Sequence, residues 1–139
     1  FGGLEIIPEK PALWHLISKK HAGFAGHYDE ASKDNSNPYT KCWVTTFGVS
    51  PQPVTLIDGA FLGVNVEKVL ESGVRFDEEC PAKFHFYDLL FCINAKRKGL
   101  NLGVFPFNTF HQSPGLKSLT DEFLKGDMYF KQYCSTIQS

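Results

Sequence analysis

The feature that most constrains this chain is the run Phe84-His85-Phe86-Tyr87-Asp88-Leu89-Leu90-Phe91-Cys92, which opens a helical pattern over Phe86–Lys98. Gly99 follows at the place where a helix of that length would stop. Asp88 is the only charged side chain in this aromatic and aliphatic stretch. Near a helix start, a carboxylate meets unpaired backbone N–H groups and the positive end of the helix dipole. Two readings follow. Asp88 is a helix-capping aspartate, or it is a general base held at the edge of a cleft. The roles coexist only if one carboxylate oxygen stays available.

The rest of the chain supplies strands and shorter helices around this segment. Pro8–Lys20 reads as an amphipathic helix with Leu13, Trp14, Leu16 and Ile17 on its apolar face. Gly23–His27 and Cys42–Phe47 read as strands on either side of a polar loop, Tyr28–Lys41. Val54–Ile57 and Ala60–Val64 read as strands interrupted by Asp58-Gly59. Asn65 is placed to cap a helix over Val66–Ser72 that Gly73 closes. Leu102–Phe105 and Asn108–Phe110 read as short strands. Ser118 is placed to cap a last helix from Leu119 to about Cys134. Alternating strands and helices predict an α/β domain, a mixed sheet flanked by helices. The element count is low for a complete doubly wound domain, so strands belonging to an N-terminal half are expected to be missing. The first residue is Phe rather than Met, which gives the same expectation of a longer parent chain.

Composition excludes several classes of function. The 139 residues carry a net charge of −1 with no basic stripe, which argues against nucleic acid as the main partner. No apolar run reaches the roughly 20 residues that span a bilayer, and no signal peptide is visible. Thirteen phenylalanines predict a core rich in aromatic rings. The four cysteines form no CxxC pair, which favours thiols, a reducing compartment and a cytoplasmic location. No Walker loop, GxGxxG, GxSxG or HExxH is present.

Four further groups bear on the chemistry. His111, in Phe110-His111-Gln112-Ser113-Pro114-Gly115, follows a strand and precedes a turn, where a neutral imidazole can ligate a cation or contact phosphate; taken in isolation it reads first as a solvated or hydrogen-bonded loop histidine. Asp58-Gly59 lies between apolar segments, which suits the floor of a sugar or acceptor site and also suits a plain turn. Asp77-Glu78-Glu79 reads as a solvated acidic face. His85 is three residues before Asp88 and is expected to be structural or to line the cleft.

In order, Ile57-Asp58-Gly59-Ala60-Phe61, Arg75-Phe76-Asp77-Glu78, Phe84–Asp88, Gly99 and His111–Gly115 resemble the second, acceptor-side half of GT-A-type glycosyltransferases of the large inverting family 2. The likeness spans about residues 54–118, with looser agreement over Leu13–Trp43. It implies a partial GT-A (nucleotide-diphospho-sugar transferase) fold. It also implies inverting, metal-dependent transfer of a sugar from a nucleotide-sugar donor to a glycan or other hydroxyl acceptor. Asp88 matches the family's catalytic base. His111 matches a histidine at the metal or donor diphosphate, and Asp58 and Gly59 match the acceptor-side turn. His85 and Tyr87 complete the expected substrate side. The implied cofactor is a divalent cation, Mn²⁺ or Mg²⁺, held with an Asp-x-Asp motif that has no counterpart here. Relatives often carry a second acid where this chain has Leu90.

A non-catalytic module that keeps the fold for carbohydrate or protein contact is the second reading. A metal-dependent hydrolase using Asp88, His111 and Asp58 is the third. A half-domain should leave a sheet edge and apolar surface uncovered, so self-association or pairing with the missing half is expected.

Overall fold

The computed structural model describes residues 1–7, 9–29, 41–107, 109–111 and 120–136. Its strands are β1 (Gly2–Gly3), β2 (His21–Ala22), β3 (Phe24–Asp29), β4 (Lys41–Thr46), β5 (Gln52–Pro53), β6 (Leu56–Ile57), β7 (Gly103–Val104) and β8 (Phe110–His111). The helices are α1 (Trp14–Ile17), α2 (Val66–Ser72), α3 (Tyr87–Arg97) and α4 (Asp121–Ser135). β1 lies between β2 and β6, antiparallel to both. β3 lies between β4, antiparallel, and β8, parallel. β5 and β7 form a separate antiparallel pair. The architecture is α/β with mixed strand directions, as the element pattern predicted.

Helix α3 is the structural centre. Leu89, Leu90, Phe91, Cys92, Ile93 and Ala95 are all buried, so the helix is covered on more than one face. Leu90, Cys92 and Ile93 join Trp14, Leu56, Phe123 and Phe130 in the main core. Phe91 and Ala95 face Val74 in a second cluster. Leu90 is fully buried. An unpaired carboxylate placed in this packing would lose its hydration with nothing to replace it.

Helix α4 closes the core from the other side. Phe86 packs on Phe123 and Phe130 with ring centroids 5.1 and 5.8 Å apart. A Cβ on Gly126 would fall 2.5 Å from the Phe86 ring, so glycine permits this close approach. Phe86 itself sits in the left-handed region, φ 70°, at the residue before α3. Such a conformation costs about 1–3 kcal/mol in a non-glycine residue, and burial of the ring offsets it.

Several sequence-derived elements hold. α2 runs over Val66–Ser72, with the Asn65 side chain accepting from the Lys68 N–H and Gly73 in the left-handed region. α3 and α4 fall within two residues of their expected bounds at the ends the residues describe. The cap of α4 is Thr120, whose hydroxyl accepts from the Phe123 N–H; Ser118 lies outside the described residues.

Other elements differ. The helix expected over Pro8–Lys20 is a 3-10 turn, Pro11–Leu13, followed by the four residues of α1. Ser18 ends it in an extended conformation, donating its hydroxyl to Glu5 while accepting from the Lys20 N–H. A serine that bonds locally in this way competes with helix continuation. Tyr28, Asp29 and Lys41, expected in a loop, extend the β3–β4 ladder, where Asp29 pairs with Lys41. Residues 30–40 lie outside the described set. Ala60–Val64 forms no strand. Its first N–H is taken by the Asp58 side chain, and the backbone turns away from β6. The aromatic core is real but smaller than the composition suggests. Phe86, Phe91, Phe123 and Phe130 are buried, whereas Phe61, Phe76, Phe84, Phe105, Phe107 and Phe110 are exposed.

No helix among the described residues is long and apolar enough to cross a membrane. All four cysteines are thiols rather than disulfides.

Candidate functional site

The site begins where β6 ends. Cys92 on α3 receives the Ile57 N–H on its sulfur at 3.3 Å. One helical turn earlier, Asp88 receives the Gly59 N–H on Oδ2 at 2.7 Å. Residues four apart share a helix face, so Asp88 and Cys92 together hold the strand end and the turn that follows it. Tyr87 adds a third bond, its hydroxyl donating to the Gly59 carbonyl at 3.1 Å. The Gly59 peptide is thus gripped on both its N–H and its C=O side. Glycine is required here by space: a Cβ would lie 2.4 Å from the Tyr87 hydroxyl oxygen and 3.0 Å from the Asp88 Cβ.

The other Asp88 oxygen, Oδ1, accepts the Leu89 N–H at 2.9 Å. Asp88 is therefore not the helix cap: Phe86 holds the cap position without a side-chain cap bond, and Asp88 sits inside the first turn, accepting from the next residue's N–H. Both oxygens are engaged, each by one backbone donor, which leaves an acceptor direction on each. Burial raises the Asp88 pKa above the ordinary carboxylate value, and the nearby Asp58 charge raises it further. The N–H bonds from Leu89 and Gly59 oppose that rise without cancelling it. The Tyr87 phenol is raised too, by burial first and then by the Asp88 and Asp58 charges. Burial pushes the Cys92 thiol up to about 12, so it acts as a neutral donor and acceptor.

Asp58 points to a different use. Its Oδ1 accepts the Ala60 N–H at 3.0 Å, and its other oxygen accepts no hydrogen bond from the described residues. Asp58 lines a cleft of about 350 Å³, within the size range of small-molecule sites. His111, carried on β8 beside His27 of β3, lines the same cleft. Asn101 and Thr109 add polar groups to it, and Phe61, Phe105 and Phe107 add rings.

The fold thus brings Asp58, Gly59, Tyr87 and Asp88 into one hydrogen-bonded unit and brings Asp58 and His111 to one cleft. Asp88 and Tyr87 brace the turn from behind and are not among the cleft-lining residues. His85 stands apart, packed edge-on to Phe123 at 5.3 Å and next to Phe84, which is the structural alternative for that residue. Asp77 accepts from the Tyr129 hydroxyl on both oxygens, at 3.2 and 3.1 Å, so one member of the acidic run ties α4 to the loop before α3. Glu78 and Glu79 are exposed, as a solvated face requires. The sequence reading missed Cys92 as a hydrogen-bonding partner, although its spacing of four from Asp88 was the available signal. It also missed the cleft's rings, for which Phe105-Pro106-Phe107 offered only a weak sign.

No group of three or more His, Cys, Asp or Glu side chains among the described residues could hold a metal ion. Asp58 and His111 are the two carboxylate or imidazole side chains among the described residues lining the cleft. The described residues therefore do not form the expected Mn²⁺ or Mg²⁺ site by themselves. A scan against protein-family models and searches of curated proteins and of solved structures each return no match.

Proposed function

We propose that the chain is the acceptor-side part of an inverting glycosyltransferase, acting on a nucleotide-sugar donor and a hydroxyl acceptor. The observation that supports this reading is that Asp88 and Tyr87 hold the Gly59 turn from behind, while the adjacent Asp58 lines a cleft together with His111. These residues come from three separate segments of the sequence. Asp88 is the proposed base. A carboxylate whose pKa is raised by burial is better matched to taking a proton near neutrality than an ordinary solvated one. Its two backbone donors fix its orientation.

The test is the transfer rate of the enzyme containing this chain, with Asp88→Asn against wild type. Loss of a general base should lower kcat by about 10²–10⁴. Asn keeps one oxygen for the Gly59 or Leu89 N–H, and circular dichroism reports whether the fold is retained. Wild-type transfer by a folded Asp88→Asn protein would remove Asp88 from the chemistry. The non-catalytic reading, a module that keeps the cleft for carbohydrate or protein contact, is favoured by the want of a metal-ligand group among the described residues. It predicts ligand binding with no dependence of any transfer reaction on Asp88.

A further inference from the structure

The cleft carries a feature that sugar transfer as such does not demand. Phe61 and Phe107 stack on one another with ring centroids 4.8 Å apart and planes 20° from parallel, yet 54% and 55% of their surfaces are exposed. The two rings come from distant parts of the chain, one just after the Asp58–Gly59 turn and one before β8. Phe105, 74% exposed, lines the same cleft. Apolar rings gathered at a concave surface, instead of in the core beneath it, mark a place where a ligand covers them.

The polar part of the lining narrows the ligand. Asp58 offers a carboxylate oxygen that no described residue occupies, and Asn101, Thr109 and His111 add donors and acceptors. An aromatic ring presents a negative face that attracts polarised C–H groups. A pyranose ring with equatorial hydroxyls has an apolar C–H face and a rim of hydroxyls, so it can stack on such a ring while a carboxylate accepts from its edge. A purely apolar ligand would leave Asp58 desolvated and unpaired. A phosphate-bearing group would meet the Asp58 charge with no Lys or Arg among the described lining residues to offset it.

We propose that Phe61 and Phe107 form the stacking ledge of a saccharide-binding subsite, with Asp58 as the hydroxyl acceptor at its floor, and that this pair selects an acceptor sugar with an unbroken apolar face. The inference rests on the glycosyltransferase reading for the word acceptor; binding of the sugar ring does not depend on that reading. Asp58 and the two rings touch the ligand directly, whereas Gly59 and Tyr87 position Asp58 through the turn.

The experiment titrates the ¹⁵N-labelled chain with methyl β-D-glucopyranoside, followed by amide chemical shifts, with no donor and no metal ion. Saturable shifts are expected at Asp58, Phe61, Asn101, Thr109 and neighbouring amides. Phe107→Ala should weaken binding about fivefold, the scale of one aromatic contact. Phe107→Leu, which keeps apolar bulk and loses the flat face, should weaken it nearly as much. Asp58→Asn should weaken it independently of the rings. Spectra unchanged away from the cleft show that each variant is folded. Equal affinity in wild type and in both Phe61→Ala and Phe107→Ala would overturn the ledge. Tighter saturation of the same amides by uridine than by the glucoside would overturn the saccharide assignment in favour of a base-stacking site. Because no transfer is measured, these outcomes are separate from the Asp88→Asn rate test.

Discussion

Replacing Gly59 with alanine tests the turn on which the whole site depends. The added Cβ would sit 2.4 Å from the Tyr87 hydroxyl oxygen, 2.8 Å from Cζ and 3.0 Å from the Asp88 Cβ. Tyr87 is partly exposed and can swing outward, but doing so breaks its bond to the Gly59 carbonyl. A hydrogen bond of this kind contributes about 0.5–1.5 kcal/mol. The Asp88 contact cannot be relieved so easily, because Asp88 lies on the buried helix α3 and its Oδ2 holds the Gly59 N–H at 2.7 Å. Overpacking at such a site costs about 1–3 kcal/mol. The expected loss is about 2 kcal/mol, seen as a fall of about 6 °C in Tm for a domain of this size. The assay is a double-mutant cycle by urea unfolding. In a Tyr87→Ala background the nearest obstruction is gone, and the effect of Gly59→Ala should fall to about 1 kcal/mol, the part owed to Asp88. An equal effect in both backgrounds, or no effect in wild type, would show that the grip of α3 on this turn is not what the geometry indicates.

Stability should also depend on pH through Asp88. Its folded pKa lies above the ordinary value, so the folded state holds the proton more tightly than the unfolded chain. Stability from this group is therefore greatest at low pH and falls as pH rises from the unfolded to the folded pKa. Asp88→Asn should flatten that part of the Tm–pH curve, and a curve of unchanged shape would contradict the burial effect. Thr120→Ala removes the cap of α4 and should lower stability by about 1 kcal/mol in thermal unfolding. A thiol reagent should modify exposed Cys42 first. Cys92 and Cys134, buried and with pKa values pushed up to about 12 and about 11, should react only on unfolding. Light scattering should show concentration-dependent association, since Val49, Phe84 and Phe105 are more than 70% exposed.

Local chemistry made some of this legible from sequence. Asn65 and Gly73 bracket α2 because a side-chain acceptor and a left-handed residue act over a few positions. The apolar run ending at Gly99 announced α3, and the isolation of Asp88 within it marked a residue with a special partner. What the sequence could not specify is which partner. The Gly59 N–H is twenty-nine residues away, and only the docking of α3 under β6 makes that bond. The same docking turns Cys92 from a small apolar residue into a brace for Ile57.

The sequence by itself determined the α/β alternation, the central helix and the short list of residues worth examining. Those follow from periodicity, caps and the cost of placing a charge among apolar side chains. The tertiary structure decided how they divide the labour. It put Asp88 behind the turn and Asp58 in the cleft, sent His85 to the aromatic packing near α4, and gathered Phe61 and Phe107 onto one ledge. These are contacts between distant segments. They depend on how the helices and strands pack together, which no local pattern encodes.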